Sequence, residues 1–333
     1  MSEGSPRVTI GVPVFNGESF LAETLDSLLN QTFSDFEIVI SDNASTDQTE
    51  QICREYAARD PRIRYYRSDL NRGAALNHNR VFELATGEYF KWNSADDICA
   101  PEFLARCVAA LDGDPTAVMA VSEAVEIDQH GTRLASVSVP GQTLLAVVPP
   151  AAPAHVRFRQ NIRIDHLCLT IYSLIRSDVL RQTDRIGGYT DSDRVLLAHL
   201  ALFGKCVVIP ALLLFNRDHP GRFTRVYRGD FDGWRERTNW FNPANAERKQ
   251  FPYWQKLFKL WKVISGSPLN RRERLRCRWV LVRWALQKDN MWSLYHDATC
   301  YPRAYVVRRF PKAKKFWNWL WRKRNVVGPV RNA

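Results

Sequence analysis

Residues 88–104 read EYFKWNSADDICAPEFL, and the folding of this stretch organises the rest of the chain. Tyr89, Phe90 and Trp92 are strand formers. Pro101 fits just inside a following helix, where a missing N–H costs nothing. The stretch therefore predicts a short strand, a polar corner and a helix. Asp96 and Asp97 then lie at the carboxyl end of a strand, where open α/β sheets bind ligands. Two adjacent carboxylates repel each other unless a cation or a donor network holds them. The competing reading is a solvated turn in which Ser94 or Asp97 caps the helix.

Upstream, RVTIGVPV (7–14) is apolar almost throughout, as strands buried on both faces are, and it ends in a Phe15-Asn16-Gly17 turn. Phe20, Leu21, Leu25 and Leu28 recur at helical spacing. FEIVIS (36–41) is a second buried strand, followed by DNASTD (42–47) and a helix over about 48–58, with Ser45 and Gln48 spaced as a capping box. Residues 63–67 read as a third strand, and Asn71-Arg72-Gly73 turns into a helix near 74–85 with Gly87 past its end. Strand–helix pairs at this spacing predict a Rossmann-like, mostly parallel sheet flanked by helices. Neither GxGxxG nor GxxxxGK[ST] occurs. The strand ends carry acids and amides instead: Asn16, Asp42, Asp47, Asn71, Asp96 and Asp97. These suit a base edge, ribose hydroxyls and a metal better than bare phosphates.

Downstream, 118–127 and 169–175 read as strands, 131–153 as a loop over the site and 177–182 as a short helix. GGYTDSD (187–193) leads into an apolar helix over 194–203 that begins on an acidic cap. A β-rich run over 206–215 ends in NRDHPGR (216–222).

Bulk composition is that of a chain able to bury a sizeable core: 333 residues, 45% hydrophobic and 25% charged. Seven cysteines form no CxxC pair and no zinc spacing, which predicts buried free thiols in a reducing cytosol. The polar N-terminus does not read as a signal peptide, and no apolar run is long enough to span a bilayer. The net charge of +12 is uneven. Residues 270–333 hold 17 Lys+Arg against 3 Asp+Glu, and the remainder 30 against 32.

The ordered set VPVFNG, ISDNASTDQT, NRG, WNSADDICAPEFL, a late acidic helix start and RDHPG resembles the inverting nucleotide-sugar glycosyltransferases of family 2, with their GT-A fold, over roughly residues 7–225. The resemblance implies a GT-A catalytic domain over 1–228, with a nucleotide-binding half (7–100) and an acceptor half (101–228). A basic, Trp-rich helical extension would follow over 229–333. It implies that Pro13, Val14, Phe15, Asn16 and Asp42 line the base pocket, Asp42 accepting from the pyrimidine N3–H, and that Arg72, Ser94, Ala95, Asp96 and Arg222 meet the rest of the donor. The family's Asp-x-Asp falls on Ser94-Ala95-Asp96, so Ser94 replaces its first carboxylate. Asp96 and His219 are then the expected ligands of Mn²⁺ or Mg²⁺. Asp193 takes the catalytic-base position, with Ser192 where the family has Glu. Asp97, Asp191 and His166 are expected on the acceptor side, and Asp191 competes with Asp193 for the role of base. A nucleotidyltransferase and a non-catalytic sugar- or lipid-binding protein are the rival readings.

Ten of eleven tryptophans lie beyond Gly229. Trp254, Leu257, Phe258, Trp261 and Ile264 keep helical spacing, as do Leu275, Trp279, Val282 and Leu286. For 250–290 the expectation is packing onto the catalytic domain, with the arginines outward. For KAKKFWNWLWRKR (312–324) it is contact with an anionic membrane surface. The acceptor is expected to be a glycan or lipid-linked glycan at the inner face of the cell membrane. No nucleic-acid partner is expected, since no recognised binding motif accompanies the charge.

Overall fold

The structure is a computed structural model, and it describes residues 4–138, 152–163, 168–226, 231–245 and 251–309. Its strands are β1 (Val8–Val14), β2 (Phe36–Asp42), β3 (Ile63–Arg67), β4 (Tyr89–Trp92), β5 (Ile98–Cys99), β6 (Ala117–Ile127), β7 (Arg133–Ser138), β8 (Leu174–Arg176) and β9 (Lys205–Arg217). The helices are α1 (Leu21–Leu29), α2 (Thr49–Arg59), α3 (Ala74–Glu83), α4 (Phe103–Asp112), α5 (Ala154–Asn161), α6 (Ser177–Arg181), α7 (Ser192–Phe203), α8 (Phe223–Val226), α9 (Phe231–Phe241), α10 (Pro252–Gly266), α11 (Arg271–Ala285) and α12 (Lys288–Arg309). A 3₁₀ turn spans Cys168–Tyr172.

The strands form one sheet in the order β3-β2-β1-β4-β8-β6-β9-β5, with β7 paired to β6. From β3 to β4 every pairing is parallel, because each connection is a crossover helix. Beyond β4 the sheet becomes mixed: β8 runs antiparallel to both β4 and β6, while β6 and β9 are parallel. The apolar strands are buried on both faces. Val8, Ile10, Val12, Ile38 and Ile40 point to one core, which α1 and α4 cover with Leu21, Leu25, Leu28, Phe103 and Leu111. Val39, Phe90 and Trp92 point to the other, covered by Val81 and Phe82 of α3 and by Leu196, Leu197 and Leu200 of α7. Helix α7 is apolar on nearly every side, as a fully buried helix must be. Its remaining face meets a third cluster of Phe158, Leu260, Ile264, Cys277, Leu281 and Trp284, which docks α5, α10 and α11.

Several local expectations shift. Ser45 does not cap α2, because its hydroxyl accepts from Asn16 N–H instead. Pro101 lies two residues ahead of α4, and the short β5 fills the space between the corner and that helix. Part of the expected 131–153 loop is β7, and the expected 169–175 strand is a 3₁₀ turn followed by the short β8. The remainder of the loop, 139–151, lies outside the described residues. Gly73 adopts φ +88°, and a Cβ there would lie 2.6 Å from the Phe241 carbonyl, so a left-handed residue without a side chain seats the Asn71–Gly73 turn under α9.

Candidate active site

The polar corner between β4 and β5 sends its two carboxylates in different directions. Asp96 stays partly exposed. Its Oδ2 lies 2.9 Å from His219 Nε2, across 123 residues of sequence, and its Oδ1 accepts from the Ser94 hydroxyl. Burial works against the charged form of Asp96, but the contacts from His219 and Ser94 outweigh it and hold the carboxyl below its usual range. Asp97 turns inward and is 1% exposed. It accepts from Asn216 Nδ2 at 2.9 Å and from Arg217 N–H at 2.9 Å, which ties the corner to the end of β9. Burial, with the charge of Asp96 beside it, pushes Asp97 up to about 7. The expectation that Asp97 meets an acceptor is therefore corrected: a carboxylate buried on β9 braces the corner from beneath.

Two further buried cations support the corner. Arg217, 1% exposed, donates from Nε to the Asp96 carbonyl (2.9 Å), from Nη1 to the Gln129 carbonyl (3.2 Å) and from Nη2 to Glu23 (2.6 Å). Its guanidinium stacks on Phe20, whose other neighbour is the His219 ring at 4.8 Å. Lys91 is fully buried and donates to Asn93 Oδ1 (2.8 Å) and to the Trp92 carbonyl (3.0 Å). Sequence reasoning missed both. The one available signal was Arg217 inside NRDHPGR, and an arginine in a loop motif reads as solvated.

On the nucleotide side, the β1–α1 and β2–α2 loops are stitched together. Asn16 sits at φ +51°, donates from its N–H to Ser45 Oγ and accepts through its amide oxygen from Thr46 N–H. Asp47 accepts from Glu18 N–H and from Thr49, which holds its carboxyl below the usual range despite partial burial. Phe15 is 46% exposed beside them. Asp42 is fully buried: it accepts from Ser45 N–H and Tyr65 Oη and pairs with Arg67 Nε at 3.3 Å. Both its oxygens accept within the fold. Arg72 is exposed, and its N–H donates to Asn43 Oδ1. Arg222 is not free for a diphosphate, because its guanidinium pairs with Glu126 (3.0 Å) and reaches Asn216 Oδ1.

Two acids stand at the start of α7. Asp191, at φ +65°, pairs through Oδ2 with the buried ammonium of Lys256 on α10 at 2.8 Å. Burial opposes the Asp191 charge, yet Lys256 and Arg194 hold its carboxyl below the usual range. Asp193, in the first turn, is partly exposed and accepts from Arg194 N–H. The 3₁₀ turn packs against both elements: β4, which leads into the corner, and α7, which carries Asp193 in its first turn. His166 lies outside the described residues.

The Asp96–His219 pair fits a divalent cation. Ligands at neighbouring corners of an octahedron with bonds of about 2.1 Å are roughly 3 Å apart, and the observed separation is 2.9 Å. Among the described residues no cluster of three His, Cys, Asp or Glu side chains could hold a metal by itself. A cation here would therefore need oxygens from a ligand.

The mixed α/β sheet flanked by helices is of the GT-A type. The family model described as "Glycosyl transferase family 2" matches residues 9–180, and the chain belongs to that family. Among curated relatives, the putative glycosyltransferase EpsE of Bacillus subtilis is 30% identical over 47% of this chain and 57% of its own length. The chondroitin synthase of Escherichia coli is 30% identical over 39% of this chain and 19% of its own. The chain thus spans about half or less of these relatives. Among solved structures, S. aureus TarS 1–349 in complex with UDP-GlcNAc superposes with a TM-score of 0.52 at 16% identity, covering 90% of this chain and 92% of that one.

Proposed function

We propose that the chain is a metal-dependent, inverting glycosyltransferase of hexosyltransferase type. It would move a sugar from a UDP- or dTDP-sugar to a hydroxyl of a glycan or glycolipid in cell-envelope synthesis. The observation that carries this reading is the contact between Asp96 and His219 at the strand ends. Asp96 and His219 would hold Mn²⁺ or Mg²⁺, which supplies a Lewis acid for the departing nucleoside diphosphate. Ser94 orients Asp96 through its hydroxyl, and Arg217 fixes the corner's backbone. The Pro13–Asn16 backbone and the exposed Phe15 ring offer a seat for the base, and Arg72 and Ala95 border the path to the corner. TarS carries UDP-GlcNAc on this fold, which makes uridine nucleotides the first donors to test.

Asp193 is the proposed base. Its rival Asp191 is neutralised by Lys256, whereas Asp193 stands partly exposed in the first turn of α7. A carboxylate there takes the proton of the acceptor hydroxyl as it attacks the anomeric carbon opposite the leaving diphosphate. In-line attack on an α-linked donor yields a β-linked product. The Lys312–Arg324 stretch proposed for membrane contact lies outside the described residues, so a place at the inner membrane face is part of this proposal only.

The test is a panel of nucleotide sugars offered with Mn²⁺ and a glycolipid extract, with nucleoside diphosphate release as readout. Asp193→Asn should lower turnover at least about a hundredfold while leaving nucleotide affinity within twofold. Turnover retained in that variant would move the base elsewhere.

A further inference from the structure

We propose that the α10–α11 hairpin is a docking surface for an anionic lipid bilayer. Each helix carries two apolar stripes on opposite sides. One stripe packs inward: Leu260, Val263 and Ile264 of α10, and Cys277, Leu281 and Trp284 of α11, are buried against α5 and α7. The other faces water. On α10 it holds Trp254, Phe258 and Trp261, of which Phe258 is 66% exposed. On α11 it holds Leu275, Trp279, Val282 and Leu286, with Trp279 63% and Leu286 64% exposed. The expected packing of 250–290 onto the catalytic domain is made by the inward stripe, Ile264 and Leu257 included, while Trp254, Phe258, Trp261 and Trp279 stay outside it. The two outward stripes are neighbours, because the Arg278 guanidinium lies over the Trp261 ring at 4.9 Å and donates to Ser265 Oγ.

Charge decides what covers this face. At 100° per residue, Arg272, Arg276 and Arg283 flank the α11 stripe on one side and Arg271 and Arg278 on the other. Lys262, with a side chain 68% exposed, flanks the α10 stripe. Residues 252–287 hold nine Lys+Arg against one acid, Glu273; Lys256 is buried against Asp191, and Lys262 and Arg276 pair with Asp184 and Glu273, so the outward rim stays net basic through its arginines. A second copy docked here would set like charge against like. So would the chain's own residues 310–333, which hold seven Lys+Arg and no acid. Nucleic acid would satisfy the rim and leave the tryptophan stripe in water. An anionic bilayer takes both parts: aromatic rings settle at the headgroup–acyl boundary, and long basic side chains reach the phosphates around them.

The inward face of α10 carries Lys256, whose ammonium holds Asp191 two residues before Asp193. A docked hairpin would therefore hold the start of α7 at a fixed height above the lipid. The docking proposal does not depend on the transferase reading, since it is read with neither donor nor acceptor present.

The test is flotation of the full chain with phosphatidylcholine vesicles, with and without about 30 mol% phosphatidylglycerol. The wild-type chain should float with the anionic vesicles only. Phe258→Ser with Trp279→Ser should lower partitioning at least about tenfold. Arg272→Glu with Arg276→Glu should cost roughly fivefold or more for each charge removed. Thermal midpoints should hold, because these side chains are exposed. Trp317→Ser with Trp321→Ser, in the C-terminal stretch, should leave most of the binding in place. Equal flotation with neutral vesicles, or unchanged flotation of the hairpin variants, overturns the proposal. So does a dimer in light scattering that the hairpin substitutions dissolve.

Discussion

Arg217 joins three parts of the chain that are far apart in sequence: the Asp96 carbonyl, the β6–β7 turn and Glu23 of α1. Replacing it with Met leaves buried carbonyls without a donor, each such loss being worth about 1–3 kcal/mol. Chemical denaturation of Arg217→Met should show a loss of about 3 kcal/mol, whereas Glu23→Gln should cost under about 1 kcal/mol because Glu23 is exposed. Equal losses would show that the Glu23 ion pair, not the carbonyls, is what Arg217 contributes. His199 offers a pH test. It is buried in α7, its Nε2 finds no partner among the described residues, and burial lowers it from 6.5 to about 4. The unfolded chain therefore takes up a proton that the folded chain refuses. His199 should cost stability progressively as pH falls from about 6.5 to about 4, by about 3 kcal/mol in full. In His199→Leu the acid limb of a denaturation-midpoint profile should flatten over that window, and an unchanged limb would show that the ring protonates without penalty. Asp96 and His219 were legible from sequence because acid and histidine at strand ends are informative. Arg217 and Lys91 were not, because a buried cation is recognised only by partners that the sequence does not place beside it.

The helices show what periodicity can and cannot tell. Spacing identified α10 and α11, yet each carries two apolar stripes, and spacing alone does not say which one a neighbour covers. The stripe with the bulkier aromatics stayed outside. Asp42 likewise looked like a ligand contact, and the loop around it uses it as a hydrogen-bond acceptor. The pairing of α10 with α7 is the junction most open to test. Lys256, with a side chain 3% exposed, neutralises Asp191 and lies near the Trp284 ring. Lys256→Met should destabilise by about 2 kcal/mol, because it leaves a half-buried carboxylate with Arg194, at 3.8 Å, still beside it. Lys256→Met with Asp191→Asn should recover most of that loss. A double variant as unstable as the single one would show that the lysine acts through packing.

The parallel pairing of the first strands was readable because β1 and β2 are continuous apolar runs, each followed by a helix with an apolar face. The antiparallel insertion of β8 between β4 and β6 was not, since three residues leave no pattern. That insertion matters: it seats the 3₁₀ turn ahead of β8 against both β4, which leads into the corner, and α7, which carries Asp193. In the proposed reading the Asp96–His219 corner holds the donor diphosphate through a cation. Calorimetric titration of UDP into the full chain, with Mn²⁺ and with EDTA, tests this most directly, in wild type, Asp96→Asn and His219→Gln. In wild type, affinity should rise at least about tenfold with Mn²⁺, and each substitution should abolish most of that gain. UDP binding that is equally tight in EDTA, or a Mn²⁺ gain that survives both substitutions, would contradict it.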